Sequence, residues 1–526
     1  MTDAAGPPKG AAAATDSDSD GPSAPGGVAP SGTGAGPDRH RHRQALFALG
    51  WSSIGTVVMF AANGLTVVVL SRLVAPTAFG VIAAAAAVGL ILKGLGPFAV
   101  TQATLQVGDR PGALRAGTNV AWAVTIGFAA LLFVSADLLG GLLDLGDDAW
   151  VLRAWVPILL CQGAVVPAQI VLQRALRFKE ITIVQSAAAL IGSAVVPIVL
   201  AVMGMGVGAL YLAVLAQAVI ELIGLSIVLG RVALPGRGGS HTREIAREAR
   251  TFSLLFAVSS ASTQGDNLVV AGTLGNEALG FYSRAYKLMA LPANMLGDAI
   301  DTVLFPVILG SRDDKVAVAR GVRLATLLLS LTLVPISAIS VVLGELVVSV
   351  LLGSQWLAAV ATFQVLAAGM YFRVATKPLS AALRGLGHQR ALTGAVGAYA
   401  VGVVGAAFLG GRWGIEAVAV GVVIVLVAYF LVITVMVTRV LGTSIMSMLG
   451  VAAAGLPGSL VAALVAYLVS IAIADSGDFV RLAVSTTAGL VPPALIFLLP
   501  GPRRSVRSLL ALRRETAGPG SGSPAI

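Results

Sequence analysis

Residues 69–80 read VLSRLVAPTAFG, and residues 269–280 read VVAGTLGNEALG. Each stretch leaves one long apolar run, passes through a turn made of Ala-Pro or Gly-Asn, and leads towards the next apolar run. Gly80 falls on Gly280 when the two stretches are aligned. A match of this kind at one fixed shift predicts two related halves in a single chain.

The composition predicts a protein whose surface faces lipid. The chain has 526 residues, of which 57% are hydrophobic and 11% are charged, and its mean hydropathy is +0.90. A soluble domain carries about 25% charged residues. Cys161 is the single cysteine, which excludes a disulfide framework and a metal site built on several cysteines.

Apolar runs recur along the chain at the length a membrane requires. A helix needs about 20 apolar residues to cross the hydrocarbon core. The sequence therefore predicts an all-α polytopic membrane protein with about fourteen transmembrane helices. The predicted spans are 45–70, 80–100, 116–136, 151–173, 183–203, 207–230, 251–271, 284–309, 321–343, 357–383, 391–411, 414–438, 449–474 and 479–500.

The positions of the basic residues predict the orientation of these spans. With the N-terminus in the cytoplasm, 26 of the 35 lysines and arginines fall on the cytoplasmic side and 6 on the outer side. This asymmetry follows the positive-inside rule and places both termini in the cytoplasm. The net charge of +10 is therefore a topology signal, and no nucleic acid is expected as a partner.

Two further matches in the same order support the internal repeat. Ala175-Leu176-Arg177 corresponds to Ala382-Leu383-Arg384, and Gly208 lies near the equivalent of Gly414. The repeat predicts two pseudo-symmetric lobes of six helices in the same orientation, with a substrate site between them near the membrane midplane.

The predicted organisation has six parts. It comprises a disordered cytoplasmic tail (1–43), an N-lobe with helices 1–6 (44–230), a basic cytoplasmic linker (231–250), a C-lobe with helices 7–12 (251–440), helices 13 and 14 (441–500), and a basic disordered cytoplasmic tail (501–526).

Four segments carry a resemblance to a known family. They are LSRLVAPTAFG (70–80), LQRALRFK (172–179), QGDNLVVAG (264–272) and LGFYSRAYKL (279–288). They resemble the polysaccharide flippases of the MOP superfamily, most closely the Wzx/WzxC branch that serves lipopolysaccharide and exopolysaccharide biosynthesis.

The resemblance implies a function and a location. It implies transport of an undecaprenyl-diphosphate-linked oligosaccharide from the cytoplasmic to the outer leaflet by alternating access, in the inner (cytoplasmic) membrane of a bacterium. The implied partners are the lipid-linked oligosaccharide, membrane lipids, a polysaccharide polymerase and glycosyltransferases. It also implies that the chain is not an enzyme.

Charged residues predicted to lie within the bilayer are costly there and mark candidate sites. The candidates for binding the substrate are Arg373, Lys377, Arg284, Lys287 and Lys93. Arg373 and Lys377 share one helix face, and an arginine can bind a phosphate through two hydrogen bonds. Lys377 could instead reach the membrane surface, and Arg284 with Lys287 could be interfacial anchors.

Three acidic residues in the predicted helices are candidates for ion coupling. Asp266, Asp298 and Asp301 could hold Na⁺ or H⁺, or could pair with Arg373 and Lys377 in structural salt bridges. No other cofactor is expected. The chain has no G-x-x-x-x-G-K-[ST] motif, and its four histidines lie in tails or cytoplasmic loops, so neither ATP hydrolysis nor a metal site is predicted.

Two other functions compete with a flippase. A cation-coupled antiporter of the same superfamily would favour an acidic cavity, whereas the deep residues here include several cations. A membrane polysaccharide polymerase or ligase would need a sizeable outer loop with catalytic groups, and the predicted outer loops are short.

Overall fold

A computed structural model describes residues 64–108, 110–230, 236, 240–310 and 314–496, without the side chains of 298–310 and 496. These residues belong to one compact unit, and among them there are helices and no strands. Residues 45–63 of the first predicted span and the two predicted tails lie outside the described residues.

Fourteen principal helices make up the described chain. Ten helices in it are long and apolar enough to cross a membrane, which confirms a multi-pass membrane protein. The helices are α1 (Gly64–Leu73), α2 (Pro76–Val107), α3 (Ala113–Leu142), α4 (Trp150–Arg174), α5 (Phe178–Val202), α6 (Val207–Leu229), α7 (242–274), α8 (276–310), α9 (Lys315–Val342), α10 (Val360–Gly385), α11 (Gln389–Gly410), α12 (Ile415–Leu441), α13 (Ile445–Ala472) and α14 (Asp478–Ile496).

The main correction concerns the segment predicted to be a linker. Residues 231–250 were expected to be a basic linker, but the chain is helical from Thr242 onward. Ile245 is fully buried there, while Arg243 and Arg247 are exposed. This amphipathic spacing extends α7 beyond its apolar run, so a search for apolar runs alone places its start too late.

Two other helices start earlier than predicted. α2 was expected from residue 80 and begins at Pro76, a residue favoured at the first position of a helix because its fixed φ suits that position. α8 was expected from residue 284 and follows directly after Gly275, whose φ of 84° breaks the helix.

Loops 108–112, 175–177 and 386–388 join helices at one end of the bundle, which we call the basic face. Here the start of α7 is tied to the α2–α3 loop. Glu244 accepts a hydrogen bond from Arg110 at 2.8 Å and lies 2.9 Å from His241 Nδ1. The His241 contact, together with Arg110, lowers the pKa of the Glu244 carboxyl below its usual value, so the group stays charged.

The other end of the bundle, which we call the opposite face, holds the turns after α1 and α7. Here α2 and α8 cross in backbone contact. A Cβ atom on Gly80 would lie 1.7 Å from the Asn276 carbonyl oxygen, and one on Gly280 would lie 2.0 Å from the Pro76 carbonyl oxygen. The two contacts are reciprocal, because position 80 of the first half meets the counterpart of position 76 in the second. The pseudo-symmetric repeat is thereby confirmed in three dimensions.

The segment between α9 and α10 reinforces this end of the bundle. Trp356 is fully buried and donates a hydrogen bond from its indole nitrogen to the Ser71 carbonyl at 2.7 Å. Its ring also lies 5.5 Å from Phe79 and 5.8 Å from Phe281, measured between ring centres. The exit of α1 is thus held against residues from both halves of the chain.

Replacing Gly80 or Gly280 with alanine is expected to destabilise the protein by about 2–3 kcal/mol, because the new methyl group meets backbone atoms that cannot move aside. Gly127→Ala is the matched control, since Gly127 is an exposed helical glycine where an added Cβ atom would have nothing within 4 Å. The thermal unfolding midpoint of the purified chain should fall for Gly80→Ala and for Gly280→Ala, and it should stay unchanged for Gly127→Ala. Equal midpoints for all three variants would contradict the crossing.

Candidate functional site

A run of polar residues, QGDN at 264–267, lies within α7. The Asn267 side-chain amide donates to Gln264 Oε1 at 3.0 Å, and the Asn267 backbone N–H donates to Asp266 Oδ1 at 2.9 Å. Asp266 lies eight residues before the end of the helix, which is roughly 12 Å along its axis. The polar run is therefore deep in the bundle.

Asp266 is buried and is held by a tyrosine from the next helix. The Tyr282 hydroxyl donates to Asp266 Oδ2 at 2.7 Å, and the two residues are 3% and 0% exposed. They lie at similar distances from the turn at Gly275, so the antiparallel α7 and α8 bring them to the same depth. A buried carboxylate requires such a donor, because desolvation otherwise penalises its charge.

Arg373 of α10 lies over the face of a second tyrosine. Its guanidinium carbon is 4.7 Å from the centre of the Tyr286 ring, which stacks on Tyr282 with 6.5 Å between ring centres. The side chain is half-buried and interacts electrostatically with Asp266. A cation on an aromatic face is stabilised by about 0.5–2 kcal/mol, most where water is excluded. α7, α8 and α10 therefore bring together Asp266, Tyr286 and Arg373.

Lys377 follows Arg373 by one helical turn and also faces α8. A Cβ atom on Gly297 would lie 2.7 Å from its ammonium nitrogen. The ammonium group of Lys377 therefore lies against the α8 backbone at Gly297. The prediction that Arg373 and Lys377 share one face is consistent with this arrangement.

Arg284 was placed at the outer end of its helix, but it lies in the interior. α8 starts at residue 276, so Arg284 is roughly 12 Å from that start. It is 7% exposed, and its guanidinium carbon is 3.5 Å from the centre of the Phe79 ring in α2. This burial does not fit an interfacial anchor. Lys287, one turn further along, is exposed.

Two of the three acidic candidates cannot be placed. The side chains of Asp298 and Asp301 lie outside the described residues, although both positions are within helix α8. Their role in ion coupling stays a prediction.

A cavity of about 530 Å³ lies among α2, α4, α5 and α6 and is completed by one residue of α7. We call it the amide chamber, because seven of its lining residues are glutamines. They are Gln102, Gln162, Gln169, Gln173, Gln185, Gln217 and Gln264. Lys93, Glu221 and Trp155 also line it. Of the five cations predicted to bind substrate, Lys93 lines this chamber, and the others lie elsewhere.

The sequence predicts that Gln217 and Glu221 form an i,i+4 polar pair, and that Gln162 and Gln264 contact either neighbouring helices or sugar hydroxyls. It does not predict that these residues line one chamber. The sequence feature that could have predicted the chamber is the spacing of Gln162, Gln169 and Gln173. Intervals of seven and four residues put all three on one face of a helix.

The wall of the chamber includes an irregular turn of α2. Residues Gly94–Phe98 are π-helical and contain Pro97, and the Leu95 carbonyl accepts a hydrogen bond from Ser253 Oγ of α7 at 2.6 Å. Gly94, Gly96 and Pro97 follow Lys93 directly, yet the helix continues through this π turn to Val107. Such turns often occur at functional sites, because they leave backbone groups free and re-aim side chains.

Sequence comparisons identify relatives of the chain. A family model described as "Polysaccharide biosynthesis protein" matches residues 69–361. The succinoglycan biosynthesis transport protein ExoT of Rhizobium meliloti (strain 1021) is 27% identical over 313 residues, which cover 59% of this chain and 62% of ExoT. The teichuronic acid biosynthesis protein TuaB of Bacillus subtilis (strain 168) is 27% identical over 113 residues, 22% of this chain and 23% of TuaB. These matches span less than two thirds of either relative.

Two solved structures share the fold. The lipid II flippase MurJ in an inward closed conformation superimposes with a TM-score of 0.69 at 12% identity, over 85% of this chain and 98% of MurJ. An inward-facing multidrug resistance MATE family transporter of the MOP superfamily gives 0.55 at 15% identity, over 73% and 96% of the two chains. The described helices therefore have the fold of these membrane transporters.

Removing the Tyr282 hydroxyl is expected to destabilise the site, because Asp266 would keep a buried oxygen without its donor. Tyr282→Phe should lower the stability by about 1.5–3 kcal/mol, and Tyr467→Phe, at an exposed tyrosine of α13, should have little effect. In an Asp266→Ala background the effect of Tyr282→Phe should largely disappear. Unfolding midpoints of the four combinations measure this coupling, and strict additivity would show that the hydrogen bond contributes nothing.

Proposed function

We propose that this chain, which belongs to the polysaccharide biosynthesis protein family, moves a lipid-linked sugar across the membrane. In finer terms, the cargo is an undecaprenyl-diphosphate-linked oligosaccharide, which passes from the cytoplasmic to the outer leaflet by alternating access. Family membership and the transporter fold support transport of a lipid-linked sugar. The arrangement of charges supports a cargo that carries a diphosphate.

The observation that carries the proposal is the half-buried guanidinium of Arg373 deep in a membrane bundle. A charge at this depth needs a counter-charge or a polar ligand. Tyr286 supplies an aromatic face and Asp266 supplies an electrostatic partner. A diphosphate would offer the guanidinium two parallel charge-assisted hydrogen bonds. This interaction would be stronger than the contact with the Tyr286 ring or the attraction to Asp266. Lys377, one turn away, would add a second positive charge.

The same contacts suggest how cargo and coupling ion compete. In the absence of cargo, Asp266 balances part of the charge of Arg373. A bound diphosphate would take over this role and leave Asp266 to bind Na⁺ or H⁺. A ligand shifts a conformational equilibrium only through different affinities for the two states. An Arg373 that exchanges between a carboxylate and a phosphate provides such a difference.

The charges of the loops support an orientation of the bundle in the membrane. We assign the basic face to the cytoplasm of a bacterial inner membrane, because positively charged loops stay inside. The crossing at Gly80 and Gly280 then closes the outer side, and release of the cargo to the outer leaflet requires this crossing to separate.

The competing functions fit the described residues less well. An antiporter for cations would place acidic groups in its cavity, whereas Arg373, Lys377 and Arg284 lie inside this bundle. A polymerase or ligase would need a catalytic loop on the outer side. The described outer connections are short, and the longest of them, 343–359, consists mostly of helical turns.

Arg373→Ala is expected to abolish export of the surface polymer while the protein still inserts normally, because the phosphate group loses its bidentate partner. Lipid-linked precursor should accumulate in the inner leaflet. Surface polymer and lipid-linked precursor are measured in cells that depend on this gene. Arg412→Ala is the control, since Arg412 is exposed in the short turn before α12.

A polymerase would give a different result in the same assay. Loss of a polymerase would leave single repeat units on the outer side rather than precursor inside. Wild-type polymer levels in the Arg373→Ala strain would remove Arg373 from the mechanism.

A further inference from the structure

The amide chamber has the size and position of a ligand site that the cation cluster around Arg373 does not explain. Its volume of about 530 Å³ falls within the range of roughly 300–1,000 Å³ that is typical of ligand pockets. Apart from Gln264 of α7, its lining residues belong to the N-lobe, while Arg373 and Lys377 belong to the C-lobe. Its walls therefore call for a ligand of different chemistry from a phosphate.

Glutamine side chains are suited to one kind of ligand in particular. Each primary amide has a carbonyl oxygen that accepts hydrogen bonds and an amino group that donates two. A sugar hydroxyl also both donates and accepts. Seven such amides around one space could therefore bind several hydroxyl groups without requiring any charge on the ligand.

Glu221 orients two of these amides. Gln185 donates from Nε2 to Glu221 Oε1 at 2.9 Å, and Gln169 donates to the same oxygen at 3.4 Å. Because both amino groups are directed towards the carboxylate, the two carbonyl oxygens are directed elsewhere and can accept from a ligand. The carboxylate thus acts as a support for its neighbours.

Gln162 lines the chamber and carries a buried acceptor that lacks a partner in the described part of the chain. Its Oε1 atom is buried and has no hydrogen-bond partner among the described residues. A buried acceptor without a donor costs free energy, and native proteins contain few of them. A ligand hydroxyl would supply the donor once the Gln162 side chain turns this oxygen towards the chamber that it lines.

The charge of the chamber limits the kind of sugar. Lys93 and Glu221 are its two charged lining residues, one of each sign, so the described walls carry no net charge. A sugar carboxylate would gain one cation and meet one like charge. An uncharged sugar avoids the repulsion from Glu221 and keeps every amide contact.

The chamber is connected to the cation cluster through α7. Gln264 lines the chamber and is hydrogen-bonded to Asn267, which in turn bonds to Asp266 beside the tyrosine pair. Along α4 the chamber extends from Gln162 to Gln173, roughly 16 Å towards the basic face. A ligand with a sugar part and a diphosphate part could therefore contact both sites at once.

We propose that the amide chamber binds an uncharged, hydroxyl-rich sugar of the cargo, while Arg373 binds its diphosphate. This rests on the proposed function. The chamber then selects cargo by the neutral character of the sugar it encloses, and the cation cluster selects by the phosphate.

The test measures the two parts of the cargo separately, by calorimetric titration of the full chain in lipid nanodiscs. The probes are three neutral disaccharides (cellobiose, lactose and maltose), the acidic analogue cellobiouronic acid, and inorganic pyrophosphate. At least one neutral disaccharide should bind, and the acidic analogue should bind at least about tenfold more weakly. Gln162→Leu and Gln169→Leu should each weaken the neutral disaccharide about tenfold, as expected for one or two lost hydrogen bonds.

Matched controls separate a local effect from a general one. Gln389→Leu changes an exposed glutamine at the start of α11 and should leave disaccharide binding unchanged. Gln162→Met keeps the side-chain length, so it replaces Gln162→Leu if the leucine variant unfolds. Arg373→Ala should abolish binding of pyrophosphate and leave the disaccharide unaffected.

Failure of this inference differs from failure of the proposed function. The inference is overturned if no neutral disaccharide binds, if the Gln162 and Gln169 variants bind it normally, or if the acidic analogue binds equally well. Loss of pyrophosphate binding in Arg373→Ala would still support the proposed function in each of those cases. Absence of pyrophosphate binding to the unmodified chain would contradict the diphosphate site alone.

Discussion

Acyl chains form no hydrogen bonds, so every polar side chain inside the bilayer needs a partner from the protein or from its cargo. Asp266 has the Tyr282 hydroxyl, and two arginines lie on aromatic rings. Arg284 lies against the ring of Phe79, and Arg373 lies against the ring of Tyr286. Aromatic faces stabilise a guanidinium without occupying its hydrogen-bond donors. Arg284 and Arg373 are therefore held in place by aromatic side chains of the bundle.

The polar groups divide into two regions of different chemistry. Among the described residues, the C-lobe cluster contains Arg373, Lys377 and Asp266, and the N-lobe holds most of the amide chamber, whose two described charges balance. Residues 264–267 of α7 connect the two regions, because Gln264 faces the chamber while Asp266 faces the tyrosine pair. A helix in contact with both regions can transmit the occupancy of one to the other. That is the property required of a transporter whose cargo has a neutral part and an anionic part.

The two halves of the chain meet where the repeat is most evident. At Gly80 and Gly280 the backbones of α2 and α8 touch, and side chains at these positions would prevent the contact. Helices in lipid often associate through close packing at small residues. Acyl chains are as apolar as the helix surface, so the hydrophobic effect does not drive helices together there. Equivalent contacts from equivalent positions thus hold the two halves together at this end of the bundle.

The sequence by itself determined the helix number, the membrane class and the internal repeat. Those features depend on local properties: about 20 apolar residues per crossing, basic residues between the runs, and glycines at one shift. Helix starts such as Thr242 were misjudged, because an amphipathic extension is not apolar throughout. Only the tertiary structure decided that Arg284 lies on Phe79 and that seven glutamines from five helices surround one cavity. Such contacts join residues far apart in the chain, and they depend on how each helix is rotated about its axis, which hydropathy does not specify.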